Sequence, residues 1–319
     1  MRTDFGSVKE GPVELVTLTK GRLTAEFITL GAAVRRLRVD DRDVVLGHPD
    51  APTYADSMFA LGQTIGRFAN RIAHARFAVD DTWYVLPANE NDNTLHGGAL
   101  GFGRRLWTIT ELANDSVTLE LESADGDQGF PGLLLVQVRY SLGTDELRID
   151  YTATTTEPTT LNLTNHAYFN LAGEDSGPTD AQTLTVPAAT VVEVDAESIP
   201  TGALVEVGEH DLRSPRPIGE VAPLDTCFVI DGTRLRPHAT LATSDLALDV
   251  LSDAPGVQVF TADGMADVPG LSGAYGPRAG VALECQNFPD APNQPSFPNS
   301  ILRPGETYAQ TTVWRFRSL

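Results

Sequence analysis

Cysteine is nearly absent: Cys227 and Cys285 are the only two among 319 residues. They lie far apart and in no CxxC or metal-ligand spacing, which excludes a disulfide framework. The six histidines, His48, His74, His96, His166, His210 and His238, form no HExxH or clustered Cys/His pattern, so no metal or other cofactor is expected. No apolar run approaches the roughly 18 residues of a membrane span. The opening Met1–Glu10 lacks the apolar core of a signal peptide, and a soluble, cytoplasmic protein is the expectation. Basic residues are scarce, 23 against 43 acidic ones, for a formal net charge of −20. Such a surface repels phosphates, which argues against nucleic acid, anionic membranes and polyanionic substrates. A neutral small molecule is the natural partner. Long 3.6-residue periodicity, solenoid-type repeats and low-complexity tracts are missing too.

What the chain has instead is alternation of period two. Val117, Leu119 and Leu121 alternate with Thr118, Glu120 and Glu122; Leu147, Ile149, Tyr151 and Ala153 alternate with Arg148, Asp150 and Thr152. Leu246, Leu248 and Val250 repeat the pattern. Alternation of this kind marks antiparallel strands with one face buried and one wet. Turn-forming residues fall between the runs at Asn114-Asp115, Gly143-Thr144-Asp145 and Asp253-Ala254-Pro255-Gly256. One short helix is expected near Ala51–Leu61. The 28 glycines and 21 prolines are spread evenly, and no linker divides the chain. The pattern therefore predicts one all-β sandwich domain over residues 1–319.

Polar residues gather in a few islands within this apolar pattern. Leu161–Leu171 sets His166 among Asn162, Asn165 and Asn170. Burying an unpaired amide or imidazole costs about 1–3 kcal/mol, so these groups must satisfy one another or a polar ligand. A single island would be read as core. Three more stand beside it: Asn70-Arg71, His96-Gly97-Gly98, and Glu284-Cys285-Gln286-Asn287. Together they supply imidazoles, a carboxylate, a guanidinium and amides, the inventory for holding and deprotonating a polyhydroxylated substrate.

These stretches resemble the aldose 1-epimerase (galactose mutarotase) family. The resemblance rests on Gly66–Ile72, Leu95-His96-Gly97-Gly98 with Gly101-Phe102 and Trp107, Gly129–Gly132 and Asn165–Leu171. Further on it includes Ile199–Gly202, Leu224–Phe228 and Glu284–Asn293, then Phe297-Pro298-Asn299 and Leu302–Tyr308. So many pieces in the family's order make accident very improbable. The resemblance implies a supersandwich of two large twisted antiparallel sheets, with the active site in an open cleft on a concave side. It also implies interconversion of the α and β anomers of free aldoses, which needs one general base and one general acid.

Glu284 is the expected base. It sits in the strand-like run Val281–Gln286, where partial desolvation would lift its affinity for a proton above that of a free carboxylate. Taken alone it would be a salt-bridged structural glutamate; the resemblance favours catalysis. His166 matches the family's general acid, and an imidazole titrates near working pH. His96 matches a second active-site histidine, placed as a binding and electrostatic group. Asn70 and Arg71 match a substrate-binding pair, Asp225 an acceptor for sugar hydroxyls, and Gln258 a binding-site glutamine. Outside the family pattern Arg71 would be a surface ion-pair residue and Asp225 a turn residue. Cys285, next to Glu284 on a strand, should point away from the site. The sequence departs from the family at Gly103, where an aspartate is usual, and at Cys285, where threonine or proline is commoner.

Three other readings compete. A glycosidase could use Asp225 and Glu284 as paired carboxylates. A hexose-6-phosphate epimerase would need a basic cluster where only Arg104-Arg105 and scattered arginines stand. A silent sugar-binding protein on the same scaffold would be expected to lack the acid or the base. The sequence leaves open the preferred sugar, the metabolic pathway and whether the protein is a monomer or a homodimer.

Overall fold

The computed structural model describes residues 1–319. Its strands form three larger antiparallel sheets and several two-stranded ribbons. The first five strands, Arg2–Val8, Gly11–Lys20, Leu23–Ile28, Ala33–Val39 and Arg42–Asp43, pair in chain order as a meander. A nine-stranded sheet contains every alternating run picked out above: Ser116–Ser123, Glu146–Thr155 and Leu246–Ser252. The last strand, Tyr308–Ser318, lies between Glu146–Thr155 and Leu246–Ser252, so the end of the chain joins the two halves of that sheet. The third sheet has six strands in the order Tyr168–Phe169, Val281–Gln286, Gly256–Phe260, Asp225–Val229, Thr190–Val194 and Pro200–Glu206.

The apolar faces of all three sheets meet in one core. Val16 and Phe27 of the first sheet, Val136, Ile149 and Trp314 of the second, and Val257, Leu283 and Cys285 of the third belong to the same buried cluster. The expected all-β architecture of large antiparallel sheets is present, and the five-stranded N-terminal sheet adds to the two large ones. Turns at Ala113–Ser116 and Gly143–Glu146 close hairpins, each by a backbone hydrogen bond across the turn. The turn at Asp253–Gly256 does something else: it carries the chain from the nine-stranded sheet into the six-stranded one.

The helix is shorter than expected, Ala51–Asp56. Asp50 caps its start, accepting from the Thr53 N–H at 2.9 Å. It stops at Ser57, whose hydroxyl bonds both the N–H and the carbonyl of Phe59 and so diverts the backbone from the helical ladder. No helix is long and apolar enough to cross a membrane.

Candidate active site

Alternation along Val281–Gln286 positions the candidate base. Val281, Leu283 and Cys285 enter the main core, which turns Glu284 to the opposite face. Gln258 lies directly across from Glu284 on the neighbouring strand, and Cys227 directly across from Gln258 on the next. Asp225, two residues before Cys227, therefore shares the face of Glu284. One strand face thus presents a carboxylate at each end of a short polar row.

His166 reaches the same place from the segment between Thr164–Asn165 and Tyr168–Phe169. Its carbonyl accepts from the Gly62 N–H at 3.0 Å, which ties that segment to the loop before Thr64–Ile65. Its Nε2 lies 3.4 Å from Oε1 of Glu284, and both side chains are buried. Tyr168, two residues on, stacks against the imidazole with ring centroids 4.9 Å apart. His96 meets His166 edge-on at 5.4 Å between centroids. A cleft of about 270 Å3 opens onto this group, lined by Asn70, Arg71, Glu90, His96, His166, Tyr168, Asp225, Phe260 and Glu284, with Met58, Phe59, Ala60 and Leu95.

Glu284 and His166 are left short of solvent and of partners. Burial pushes the Glu284 carboxyl well above the ordinary glutamate range; the neighbouring Asp225 adds to the rise and Arg71 opposes it. Burial lowers His166 to about 4, against the opposing pull of Asp225. Between those two values the pair holds one proton, and burial favours its residence on Glu284. Oε2 of Glu284 and Nδ1 of His166 are both buried without a hydrogen-bond partner in the chain. A polar ligand arriving in the cleft meets groups that still need bonds.

Arg71 is held by a fork of two hydrogen bonds to Glu90, at 2.6 and 2.9 Å, and its Nη1 lies 3.5 Å from Asp225. Asp225 in turn accepts from the Gln258 amide at 2.6 Å. Gln258 is buried between Glu284 and Asp225 on the same sheet face; its amide N–H orients the Asp225 carboxylate, and its Oε1 has no hydrogen-bond partner in the chain. Asn70 lines the cleft in the left-handed backbone region, and its carboxamide oxygen accepts from the Arg71 N–H. Cys285 is turned into the core as expected, where burial pushes its thiol up to about 12.

The asparagines around His166 resolve the question the sequence posed. Asn162 donates to the carbonyls of Ala69 and Asn287, Asn165 to that of Gly62, and Asn170 to those of Gly177 and Ala279. They brace loop backbone, and of that island only His166 and Tyr168 reach the cleft. Two polar cleft residues, Tyr168 and Glu90, went unassigned in the sequence. Tyr168 carried a signal, since a residue two positions from His166 in an extended segment shares its face. Glu90 carried none beyond its place in the Asn-rich stretch before Asn93.

A family model described as aldose 1-epimerase matches residues 14–315. The chain belongs to the aldose 1-epimerase family. It is 39% identical to the galactose mutarotase of Rattus norvegicus, covering 99% of this chain and 98% of that one. The aldose 1-epimerase of Haemophilus influenzae is 34% identical, with 99% of both chains covered. Among solved structures, an aldose epimerase homologue from C. elegans superposes with a TM-score of 0.90 at 30% identity, covering 96% of this chain and 99% of that chain. Family membership thus agrees with the architecture.

Proposed function

We propose that this chain, acting as one domain, interconverts the α and β anomers of free aldoses by opening and reclosing the sugar ring. The observation that carries the reading is the buried Glu284–His166 contact of 3.4 Å at the cleft. Mutarotation removes a proton from the anomeric hydroxyl and delivers one to the ring oxygen as the C1–O5 bond breaks. The aldehyde formed turns about C1–C2, and closure on the other face runs the same transfers backwards. The two transfers act on adjacent oxygens of one hemiacetal, so two groups this close can serve both.

Glu284 takes the anomeric proton and His166 supplies the proton to the ring oxygen. The reacting arrangement is carboxylate and imidazolium, reached by moving the pair's single proton from Glu284 to His166. The pair begins and ends the cycle with one proton, and nothing is oxidised or reduced. His96, Arg71, Asn70 and Asp225 hold the remaining hydroxyls, with Gln258 fixing Asp225. Arg71 is already engaged by Glu90 and Asp225, which supports a neutral sugar over a sugar phosphate.

Polarimetry of freshly dissolved α-glucose and α-galactose tests the proposal. The rotation should relax to equilibrium faster with catalytic amounts of protein and with no added cofactor. A relaxation rate equal to that of buffer alone for both sugars would overturn the reading, as would a higher kcat/KM for glucose 6-phosphate than for either.

A further inference from the structure

The island Glu284-Cys285-Gln286-Asn287 holds one residue that the chemistry above does not use. Gln286 is fully buried, and neither polar atom of its side chain has a hydrogen-bond partner in the chain. An orphaned amide costs stability unless something answers it, and native folds contain few such groups. Period two puts Gln286 on the sheet face that carries Glu284. Gln258 completes a triangle, because it stands directly across from Glu284 on the neighbouring strand. Its Oε1 is buried and unpartnered too, and so is Oε2 of Glu284. Four orphaned polar atoms thus lie on one face, beside the proposed base.

The surrounding residues are spent elsewhere or are apolar. Directly across from Gln286 is Gly256, where a Cβ would come within 3.1 Å of the Phe288 ring and 3.2 Å of Cys227 Sγ. Phe288 and Cys227 both belong to an apolar cluster. Asn162 commits its carboxamide to the backbone of Ala69 and Asn287. The charged and titratable groups facing Glu284 are His166 and Tyr168 from one segment, Asp225 and Cys227 from a second, and Arg71 from a third. His166 lies at Oε1, and none of them bonds Oε2. Residues two apart on a strand are separated by roughly 6.6–6.8 Å, a gap that a water spans with two hydrogen bonds. The orphaned set is a donor, two amide acceptors and a carboxyl oxygen that is either, which matches the two to four bonds of a buried water.

We propose that Gln286 is a positioning residue for the base, holding an enclosed water that also bonds Gln258 Oε1 and Glu284 Oε2. The inference rests on the ring-opening function proposed above. The water accepts from the Gln286 N–H and donates to Gln258. Toward Glu284 it accepts from the carboxylic acid or donates to the carboxylate. The bond to the carboxylate is the stronger, because it is charge-assisted. Gln286, acting through the water, therefore favours the ionised form from which Glu284 takes the anomeric proton.

The test combines high-resolution crystal structures with polarimetry on glucose across pH, for wild type, Gln286→Met and Gln286→Asn. Methionine keeps the volume and removes the amide; asparagine keeps an amide donor. Wild-type density should show a water within hydrogen-bond distance of Gln286, Gln258 and Glu284, and Gln286→Met should lack it. Gln286→Met should lower kcat about tenfold and move the alkaline limb of the profile up by about one pH unit, the size of one net hydrogen bond to a charged group. KM should stay within about twofold, because the sugar does not touch Gln286. Gln286→Asn should keep more of kcat and shift the limb less. Wild-type density with no water there overturns the proposal. So does a folded Gln286→Met with an unmoved limb, or a Gln286→Asn that shifts the limb as far as methionine does. If Gln286→Met does not fold, the wild-type density and the Gln286→Asn profile still decide. Failure of wild type on glucose would strike the ring-opening function, while the density would still decide the water, so the two failures are distinguishable.

Discussion

The backbone N–H of Asn70 donates to Nδ1 of His96 at 3.1 Å, and the His96 N–H donates back to the Asn70 carbonyl at the same distance. This reciprocal pair fixes the histidine's tautomer. With Nδ1 accepting, the ring proton sits on Nε2, and Nε2 is then a donor. Burial, together with His166 and Arg71, holds His96 well below its usual range, so the ring stays neutral. A neutral donor suits a residue that binds a sugar oxygen and leaves proton transfer to others.

From this follows a prediction for His96. Glutamine can place an amide N–H close to the position of Nε2, whereas alanine cannot. His96→Ala should lower kcat/KM by roughly 10²–10³-fold, the usual loss for a fixed donor, and His96→Gln should retain clearly more. Neither change should move the limbs of the pH profile, because His96 does not titrate in the working range. A limb that shifts in His96→Gln would show that His96 exchanges protons during turnover.

The proposed acid–base pair, Glu284 and His166, predicts its own pH signature. Below about 4 His166 gains a second proton for the pair; above the raised value of Glu284 the pair loses its only one. The profile of kcat/KM should therefore be a broad bell whose two limbs belong to the pair as a unit. His166→Asn should reduce kcat by roughly 10²–10⁴-fold and abolish the limb near 4. The double variant with Glu284→Gln should lose less than the product of the single losses, because one proton circuit serves both groups. Stopped-flow polarimetry across pH on the three variants checks this; independent, multiplicative losses would separate the two roles.

Much of the site was legible because strands alternate. Glu284 facing away from the core, and Cys285 facing into it, follow from period two once Val281–Gln286 is recognised as a strand. The distribution of strands among three sheets was not legible, because alternation tells which face of a strand is buried but not which neighbour it pairs with. The turn at Asp253–Gly256 looks in sequence like the hairpin turns, yet it changes sheets. Glu90 was invisible for a related reason. Its partner Arg71 is 19 residues away on the short strand Arg71–Ile72, and the two meet only through the tertiary fold. Gln258 is expected as a binding-site glutamine, and its hydrogen bond to Asp225 cannot be read without knowing that their two strands pair.

Arg67, four residues before Arg71, shows the same limit and yields a stability prediction. It is 2% exposed, and its guanidinium donates to the Ser123 hydroxyl and to the carbonyls of Pro131, Ser123 and Ala124. The cation thus ties the loop before Asn70 to two others. Arg67→Met keeps much of the length but strands several buried acceptors, as when one partner of a buried charged network is removed. A loss of roughly 3–5 kcal/mol is expected. Chemical denaturation monitored by circular dichroism measures it, and a change below about 1 kcal/mol, the size of an ordinary surface substitution or less, would mean those loops are held by other contacts.

Glu284→Gln should separate catalysis from stability most sharply. Removing the base should cut kcat by at least roughly 10²–10⁴-fold while sugar binding changes far less. Stability should move the other way. The carboxyl's folded value lies above its unfolded value of about 4.3, so below pH 4 both states are protonated and the residue makes no pH-dependent contribution. As the pH rises past 4.3 the unfolded chain ionises while the folded one keeps its proton, and wild type loses stability up to the folded value. Glutamine cannot ionise and escapes that loss. The lowered histidines, His96 and His166, act in the opposite sense, since unfolding lets them protonate below about pH 6.5. They are present in both proteins, so to first order their effect cancels in the comparison. Glu284→Gln should therefore melt higher than wild type at pH 7, with the gap narrowing as the pH is lowered toward 4. Thermal melts of both proteins at several pH values decide it. A variant less stable than wild type at pH 7, with its full deficit retained at pH 4, would mean that the carboxylate is paired and stabilising in the fold; its burial beside His166 would then be structural, and the base would have to be sought at Asp225.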